Sequence, residues 1–270
     1  PTDLFVLLKE AGWDTVRVRV WNDPFDEDGR GYGGGNCGVA NAVEIARRCK
    51  EAGLSLIVDF HYSDFWADPA KQMSPKAWVT MDLTQKRVGR EHSRAIFAGS
   101  AAVRATLPDA LVAVHFTNVS QSDAKKYIRE VCEGDTPVDF DVMAYSYYSY
   151  WHGSLENLSE LMADVRENFG KDVFIAETSY PFTTNNLDTH PNSVPNEWCD
   201  MKQDISRDGQ AADFRETVET AVQAGALGVC YWEPAWIPVP GNSWEEQSKL
   251  WEQFGSGWAS SYAGGYDPQD

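Results

Sequence analysis

Leu54-Ser55-Leu56-Ile57-Val58-Asp59-Phe60-His61-Tyr62-Ser63-Asp64-Phe65-Trp66-Ala67-Asp68-Pro69 changes character in its middle. The first half, to Phe60, is a short, mostly apolar and β-rich run that reads as a buried strand. The second half packs His, Tyr, Asp and Trp side by side. Such a run at the carboxyl end of a strand is what a (β/α) barrel places on its active face. Carboxylate and imidazole suit hydroxyl groups, and an indole suits an apolar ring face, so the stretch fits an uncharged, hydroxyl-rich ligand. The competing reading is a loop that closes over its own aromatics.

Outward from this stretch, strand and helix signals alternate along the chain. Thr2 to Ala11 reads as a helix with Thr2 and Asp3 as caps, Thr15–Trp21 as a strand and Val39–Ala52 as a helix. A long loop follows Phe60, then come a helix over Glu91–Thr106, a strand over Leu111–Phe116 and a helix over Asp123–Cys132. Phe140–Tyr147 is strand, Leu155–Phe169 helix and Val173–Ala176 strand. A second long loop leads to a helix from about Gln210 to Ala224 and a strand over Gly228–Trp232. Alternation of this kind makes a parallel sheet with right-handed crossovers. The expected fold class is α/β, a TIM-type (β/α) barrel that is incomplete, with about six of eight strands. Residues 1–270 read as a single domain, with no low-complexity linker.

Composition excludes several functions. The formal charge of −18 argues against nucleic acid and anionic lipid as partners. No run approaches the ~20 apolar residues of a membrane helix. The charge suits a neutral substrate and a soluble, extracellular protein. Cys37, Cys49, Cys132, Cys199 and Cys230 are odd in number and widely spaced, which matches neither a zinc site nor a dense disulfide framework. The 11 Trp, 11 Tyr and 12 Phe are many for a plain core, and several fall at strand ends.

The strand ends form a constellation. Arg17-Val-Arg-Val-Trp-Asn-Asp-Pro24 alternates arginine with valine, and an inward arginine is costly without a carboxylate or ligand partner. His115-Phe-Thr-Asn118, Tyr145-Ser-Tyr-Tyr-Ser-Tyr-Trp-His-Gly153, Glu177-Thr-Ser-Tyr180 and Tyr231-Trp-Glu-Pro-Ala-Trp236 end the later strands. Any one of these could be core packing; five alike on one face point to a ligand site. Glu177 follows the buried Phe174-Ile175-Ala176, which sets its carboxylate at the mouth of the sheet, where a glycosidase nucleophile is needed.

The Arg17–Pro24, Asp59–Pro69, Ile175–Tyr180 and Tyr231–Trp236 motifs resemble glycoside hydrolase family 53, the arabinogalactan endo-β-1,4-galactanases, in order from Pro1 to about Asp267. The resemblance implies a retaining (β/α)₈ enzyme acting extracellularly on plant cell-wall galactan or arabinogalactan oligosaccharides. It makes Glu177 the nucleophile and Trp232 the floor of the cleavage subsite. Arg17, Asn22, Asp59, His61, Trp66, His115, Tyr147, Trp151 and Trp236 are the remaining expected sugar contacts.

The chain departs from the family pattern in three places. It starts after the family's first strand and stops near Asp267, before the segment that closes the barrel. The family's fourth strand ends in Val-Gly-Asn-Glu, whose Glu is the acid/base; the nearest string is Val88-Gly89-Arg90-Glu91, with Arg90 in place of Asn. Only Asp82 to Arg87 precede it, too few for the missing helix. Glu91 is thus the acid/base candidate by position, but reads better as an acid in the first turn of the following helix. Glu233 and Asp64 are the other candidates for the second carboxyl. Residues 186–192 alternate polar groups so that Asp188, His190 and Asn192 could converge on Ca²⁺, as in a calcium loop of some bacterial family members; Asn186 replaces that loop's first Asp. The alternative is a polar surface loop. Three functions remain open: a galactan-degrading glycosidase, a galactan-binding remnant without its acid/base, or a non-productive fragment whose open sheet edges leave it poorly folded or associating with itself.

Overall fold

The computed structural model describes residues 2–25, 28–29, 37–67, 75–78, 88–117, 119, 121–135, 137–185 and 192–234. Six strands are found among them, and every pairing is parallel. They fall in two compact units, one within Pro1–Asp82 and one within Leu83–Asn185 and Asn192–Ala235.

The first unit contains α1 (Leu4–Glu10), β1 (Thr15–Trp21), α2 (Val39–Glu51), β2 (Ser55–His61) and a single 3₁₀ turn (Lys76–Trp78). Asp3 caps α1 by accepting from Phe5 N at 2.8 Å, and its other oxygen takes Arg48 of α2 at 2.6 Å. One acid thus ends one helix and ties it to the next. β1 and β2 run in register from Thr15↔Ser55 to Trp21↔His61. Paired residues of parallel strands share a face, and side chains alternate faces along each strand. Val16 and Leu56 therefore lie toward the helices, where they pack against the small core of Phe5, Cys49 and Leu54. Arg17, Arg19, Trp21, Asp59 and His61 lie on the other face. β2 has no buried residue, and Val58 and Phe60 on its helix side are exposed.

The second unit holds α3 (Val88–Thr106), β3 (Ala113–Phe116), α4 (Gln121–Glu133), β4 (Val142–Ser146), α5 (Leu155–Phe169), β5 (Asp172–Thr178), α6 (Arg207–Gln223) and β6 (Val229–Tyr231), with strand order β3-β4-β5-β6. Every residue of β4 is buried. Met143, Tyr145, Leu161, Met162, Val173 and Ile175 belong to one continuous core between the sheet and its helices. α5 ends at Gly170, whose φ of 61° is the left-handed turn that glycine adopts without strain. α3 starts three residues before the expected Glu91, so Val88-Gly89-Arg90-Glu91 forms the first helical turn and not a strand end. β5 runs past the expected Ala176 to Thr178, which puts Glu177 inside the strand.

β5 also carries a bulge. Tyr145 pairs with Ile175, but Ser146 pairs with Glu177; on the other side Ile175 pairs with Val229, but Thr178 with Tyr231. Against both neighbours, β5 contains one extra residue. Strict alternation would put Glu177 on the face of Ile175, inside the core beneath the helices. The extra residue reverses the parity, so Glu177 shares a face with Ser146 and, across β3, with His115.

Candidate active site

In the second unit the site is built on hydroxyls. Glu177 Oε2 accepts from Ser146 Oγ at 2.8 Å and from Tyr148 OH at 3.3 Å. His115 Nε2 lies 2.9 Å from Ser146 Oγ. The single proton of Ser146 is directed to Glu177, so His115 must donate to Ser146. A relay of donors thus runs from His115 through Ser146 to the carboxylate and fixes its rotamer. Tyr148 is fixed in turn, because its backbone N–H donates to His152 Nδ1 at 3.1 Å. Burial holds His152 below its ordinary pKa, although Ser146 backbone and the charge of Glu177 pull the other way. A neutral imidazole is what an accepting Nδ1 requires. Tyr148, Tyr150 and Tyr180 form a buried aromatic cluster, with Trp232 packed against it. Trp232 N donates to Thr178 O at 2.8 Å, which seats the indole one residue beyond the paired end of β6. Tyr231 turns its ring to Phe214 of α6, while Trp232 packs on the cluster that contains Tyr148, the donor to Glu177.

The tyrosine expected at the sugar is displaced by one position. Tyr147 is 1% exposed, belongs to the core, and donates its hydroxyl to Gly153 O at 3.0 Å. It is a packing residue, and Tyr148 supplies the hydroxyl at the carboxylate. Trp151 remains 44% exposed, edge-on to Tyr150 with centroids 4.8 Å apart. Glu233 follows Trp232 with φ 45°, a left-handed conformation unusual for a residue with a Cβ. Ser146, Tyr148 and His152 were missed as site residues. Ser146 carried a signal, as the one hydroxyl-ended small residue of the wholly buried β4, and Tyr148 and His152 stand in the polar and aromatic run that follows the strand.

In the first unit the cluster is ionic. Arg17 and Asp59 pair at 2.7 Å, and His61 Nε2 lies 3.0 Å from the same Asp59 oxygen. The inward arginine therefore has the carboxylate that its burial demands. Among the described residues, the buried His61 Nδ1 has no hydrogen-bond partner. Trp66 is not an open platform: it is 3% exposed, Arg19 stacks over it at 4.0 Å, and His61 packs 5.8 Å from it. It supports the polar groups. Asn22 donates to Asp64 Oδ1 at 3.2 Å. Asp64 also accepts from Asp23 N at 3.0 Å and Lys76 N at 2.6 Å, so this carboxylate clamps the loops that follow β1 and β2.

Glu91 stands in the first turn of α3. Trp236, Asp188 and His190 lie outside the described residues. Asn192 donates to Asn185 O at 3.3 Å, and its buried Oδ1 has no hydrogen-bond partner among the described residues. Among the described residues no three His, Cys, Asp or Glu side chains group as a metal site, and no helix is long and apolar enough to cross a membrane.

Comparison with known proteins agrees with this geometry. A family model for glycosyl hydrolase family 53 matches residues 1–91 and 89–261. The endo-beta-1,4-galactanase of Bacillus subtilis (strain 168) is 42% identical over 309 residues, which cover 99% of this chain and 72% of that protein. The arabinogalactan endo-beta-1,4-galactanase of Cellvibrio japonicus is 26% identical, covering 91% of this chain and 78% of that one. Among solved structures, the GH53 catalytic domain of Ignisphaera aggregans superposes with a TM-score of 0.77 at 30% identity, over 89% of this chain and 79% of that one. The alignment to the B. subtilis protein is longer than the 270 residues of this chain, so it crosses gaps here. The two matched segments meet at residues 89–91, in the first turn of α3, where the sequence lacks room for a strand-and-helix unit. By sequence and by fold, this chain belongs to glycosyl hydrolase family 53.

Proposed function

We propose that this protein is a retaining endo-β-1,4-galactanase with Glu177 as its nucleophile. The observation that carries the reading is the grip on Glu177: a bulged strand turns it onto the polar face, and Ser146 and Tyr148 hold one of its oxygens. A carboxylate oriented in this way attacks the anomeric carbon as the bond to the departing galactosyl oxygen breaks, giving a covalent galactosyl-enzyme. Water then attacks that carbon, releases Glu177 and leaves the product with its original configuration. The departing oxygen needs a proton, supplied in such enzymes by a second carboxyl ~5–5.5 Å from the nucleophile. Trp232 and Trp151 of the second unit offer apolar faces to galactose; in the first unit, taken by itself, Arg17, Asp59 and His61 are polar groups of the kind that hydrogen-bond sugar hydroxyls.

A second reading has its own observation. Glu91, the counterpart of the family's acid/base by position, stands in a helical turn where the family match is broken. Without a proton donor the protein binds galactan and hydrolyses it very slowly, general acid catalysis being worth ~10²–10⁴-fold. Substrates with activated phenol leaving groups need no such proton. Reducing-sugar release from β-1,4-galactan, beside hydrolysis of an activated aryl β-galactoside, tests both readings. Cleavage of both supports the galactanase, and cleavage of the aryl galactoside alone supports the impaired form. Failure on both, with no trapping of Glu177 by a fluorinated galactoside, rejects the nucleophile.

The proposal extends to an extracellular site of action on plant cell-wall galactan or arabinogalactan oligosaccharides, as the resemblance implies. It also extends to a structural Ca²⁺ in the loop of Asp188, His190 and Asn192. The buried Asn192 Oδ1, without a hydrogen-bond partner among the described residues, is an oxygen that suits such an ion. A melting temperature unchanged by chelator would reject the ion.

A further inference from the structure

Trp198 is 79% exposed, more than any other large apolar side chain described. A single exposed apolar residue needs no explanation by itself. What distinguishes Trp198 is how firmly its backbone is held. Its N–H donates to Asn196 Oδ1 at 2.8 Å, Cys199 N donates to Asn196 O at 3.1 Å, and Asn196 Nδ2 donates to Ser193 O at 2.8 Å. Directly after the turn, Asp200 N donates to Tyr150 O at 2.9 Å. Val194, Cys199 and Met201 pack on the cluster of Tyr148, Tyr150 and Tyr180. Tyr148 of that cluster donates to Glu177, and Trp151 stands edge-on to Tyr150. A continuous set of packed rings and backbone hydrogen bonds thus runs from the carboxylate to Trp198 and presents two exposed indoles, Trp151 and Trp198, from one support.

We infer that Trp198 is an outlying sugar-binding position, which stacks on a galactosyl residue of the β-1,4-galactan chain beyond those held at Glu177 and Trp151. The inference rests on the galactan reading above. Galactose presents one apolar face, and an indole on an anchored turn meets it with little loss of conformational freedom. The contact adds affinity to a long chain and none to a disaccharide confined to the inner positions, so Trp198 favours polymer over short substrate.

The test is calorimetric titration of wild-type protein and Trp198→Ala with β-1,4-galactohexaose and with β-1,4-galactobiose. Melting curves for both proteins confirm that the exposed substitution leaves the fold intact. Expected is hexaose binding weakened roughly tenfold, the effect of losing ~60 Å² of apolar contact, with biose binding unchanged. Trp198→Phe should recover part of the loss. Equal hexaose affinity in wild type and Trp198→Ala overturns the inference and leaves the galactan reading standing. Equal weakening for both sugars also overturns it, because the indole would then act through the inner site. Wild-type protein that binds neither sugar overturns the galactan reading and this inference together.

Discussion

The two parallel sheets follow one plan and hold their polar groups in opposite ways. In the first unit Arg17, Asp59 and His61 satisfy one another as charges and near-charges over a core of three buried residues. In the second, uncharged hydroxyls from Ser146 and Tyr148 hold Glu177 over a large continuous core. An ion pair that keeps some contact with water is inexpensive to maintain, so it can sit on a sheet with little behind it. A carboxylate that must change partners during a reaction gains from hydroxyl donors that fix its rotamer. The difference places most of the stability in the second unit; on the function proposed above, covalent chemistry falls to Glu177 there and sugar contact to the polar groups of the first.

Removing the two carboxylates should have unequal effects. Glu177→Gln is expected to lower turnover of an activated aryl β-galactoside by at least ~10⁴-fold, in keeping with loss of an attacking group elsewhere. Asp59→Asn keeps the shape, loosens Arg17 and His61, and should cost roughly 10–100-fold, mainly in KM, as expected for lost substrate positioning. Steady-state kinetics with mass analysis of the trapped enzyme measure both. Equal losses in kcat would end the division of labour drawn above.

Packing should divide the same way. Leu161 is fully buried in the second core, and Leu161→Ala is expected to cost about 3–4 kcal/mol. Phe60 on the helix side of β2 is 55% exposed, and Phe60→Ala should cost under about 1 kcal/mol. Urea unfolding followed by far-ultraviolet circular dichroism gives both values. A larger loss at Phe60 would mean that the outer face of β2 is covered in solution.

The pH dependence of stability should have opposite signs in the two units. Asp213 on α6 is buried, bonded to Ser149, and pushed up to about 6 by that burial. The folded state then binds a proton that the unfolded state releases near its ordinary value. Its contribution is complete below that ordinary value and is lost as pH rises through about 6, a change of roughly 2–3 kcal/mol. Asp213→Asn should flatten this part of the profile and raise the melting temperature at pH 8. Asp3 in the first unit is held below its ordinary value by Arg48 and by Phe5 N, so its contribution is lost as pH falls. Melting curves from pH 3 to pH 8 for wild type, Asp213→Asn and Asp3→Asn separate the two. A wild-type profile rising between pH 4 and pH 6 and insensitive to Asp213→Asn would reject the assignment.

What could be read from sequence differs between the same two regions for physical reasons. The strands and helices were legible within a few residues, because apolar runs separated by amphipathic segments have few other ways to bury themselves. The motif positions of Glu177 and Trp232 were legible too. The bulge in β5 was not, because Phe174-Ile175-Ala176-Glu177 carries no mark of an extra residue; the pairing with both neighbouring strands creates it. Trp66 was expected as a platform, but an indole beside an inward arginine is more stable beneath the guanidinium than open to solvent. The start of α3 at Val88 was hidden by a string that resembles a strand end, although the short stretch before it left no room for one.

The smallest expected effects concern two adjacent tyrosines, and they test the boundary between core and site within the second unit. Tyr147 and Tyr148 leave β4 next to each other, and after the strand ends no alternation rule says which one turns toward the ligand. The hydrogen bonds decide it: Tyr147 OH donates to Gly153 O, and Tyr148 OH donates to Glu177 Oε2. Tyr147→Phe removes one hydrogen bond, to the carbonyl of the exposed Gly153, so it should cost about 1 kcal/mol of stability or less with kcat unchanged. Tyr148→Phe keeps the ring in its aromatic cluster and removes a 3.3 Å donor from the nucleophile. It should lower kcat on the activated aryl galactoside by about tenfold or less, the equivalent of one hydrogen bond of about 1 kcal/mol, with stability unchanged. Reversal of the two phenotypes would make Tyr147 the site residue, as sequence reading alone suggests. Equal small losses of stability with no change in kcat would show that the Tyr148 hydroxyl does not help to orient Glu177.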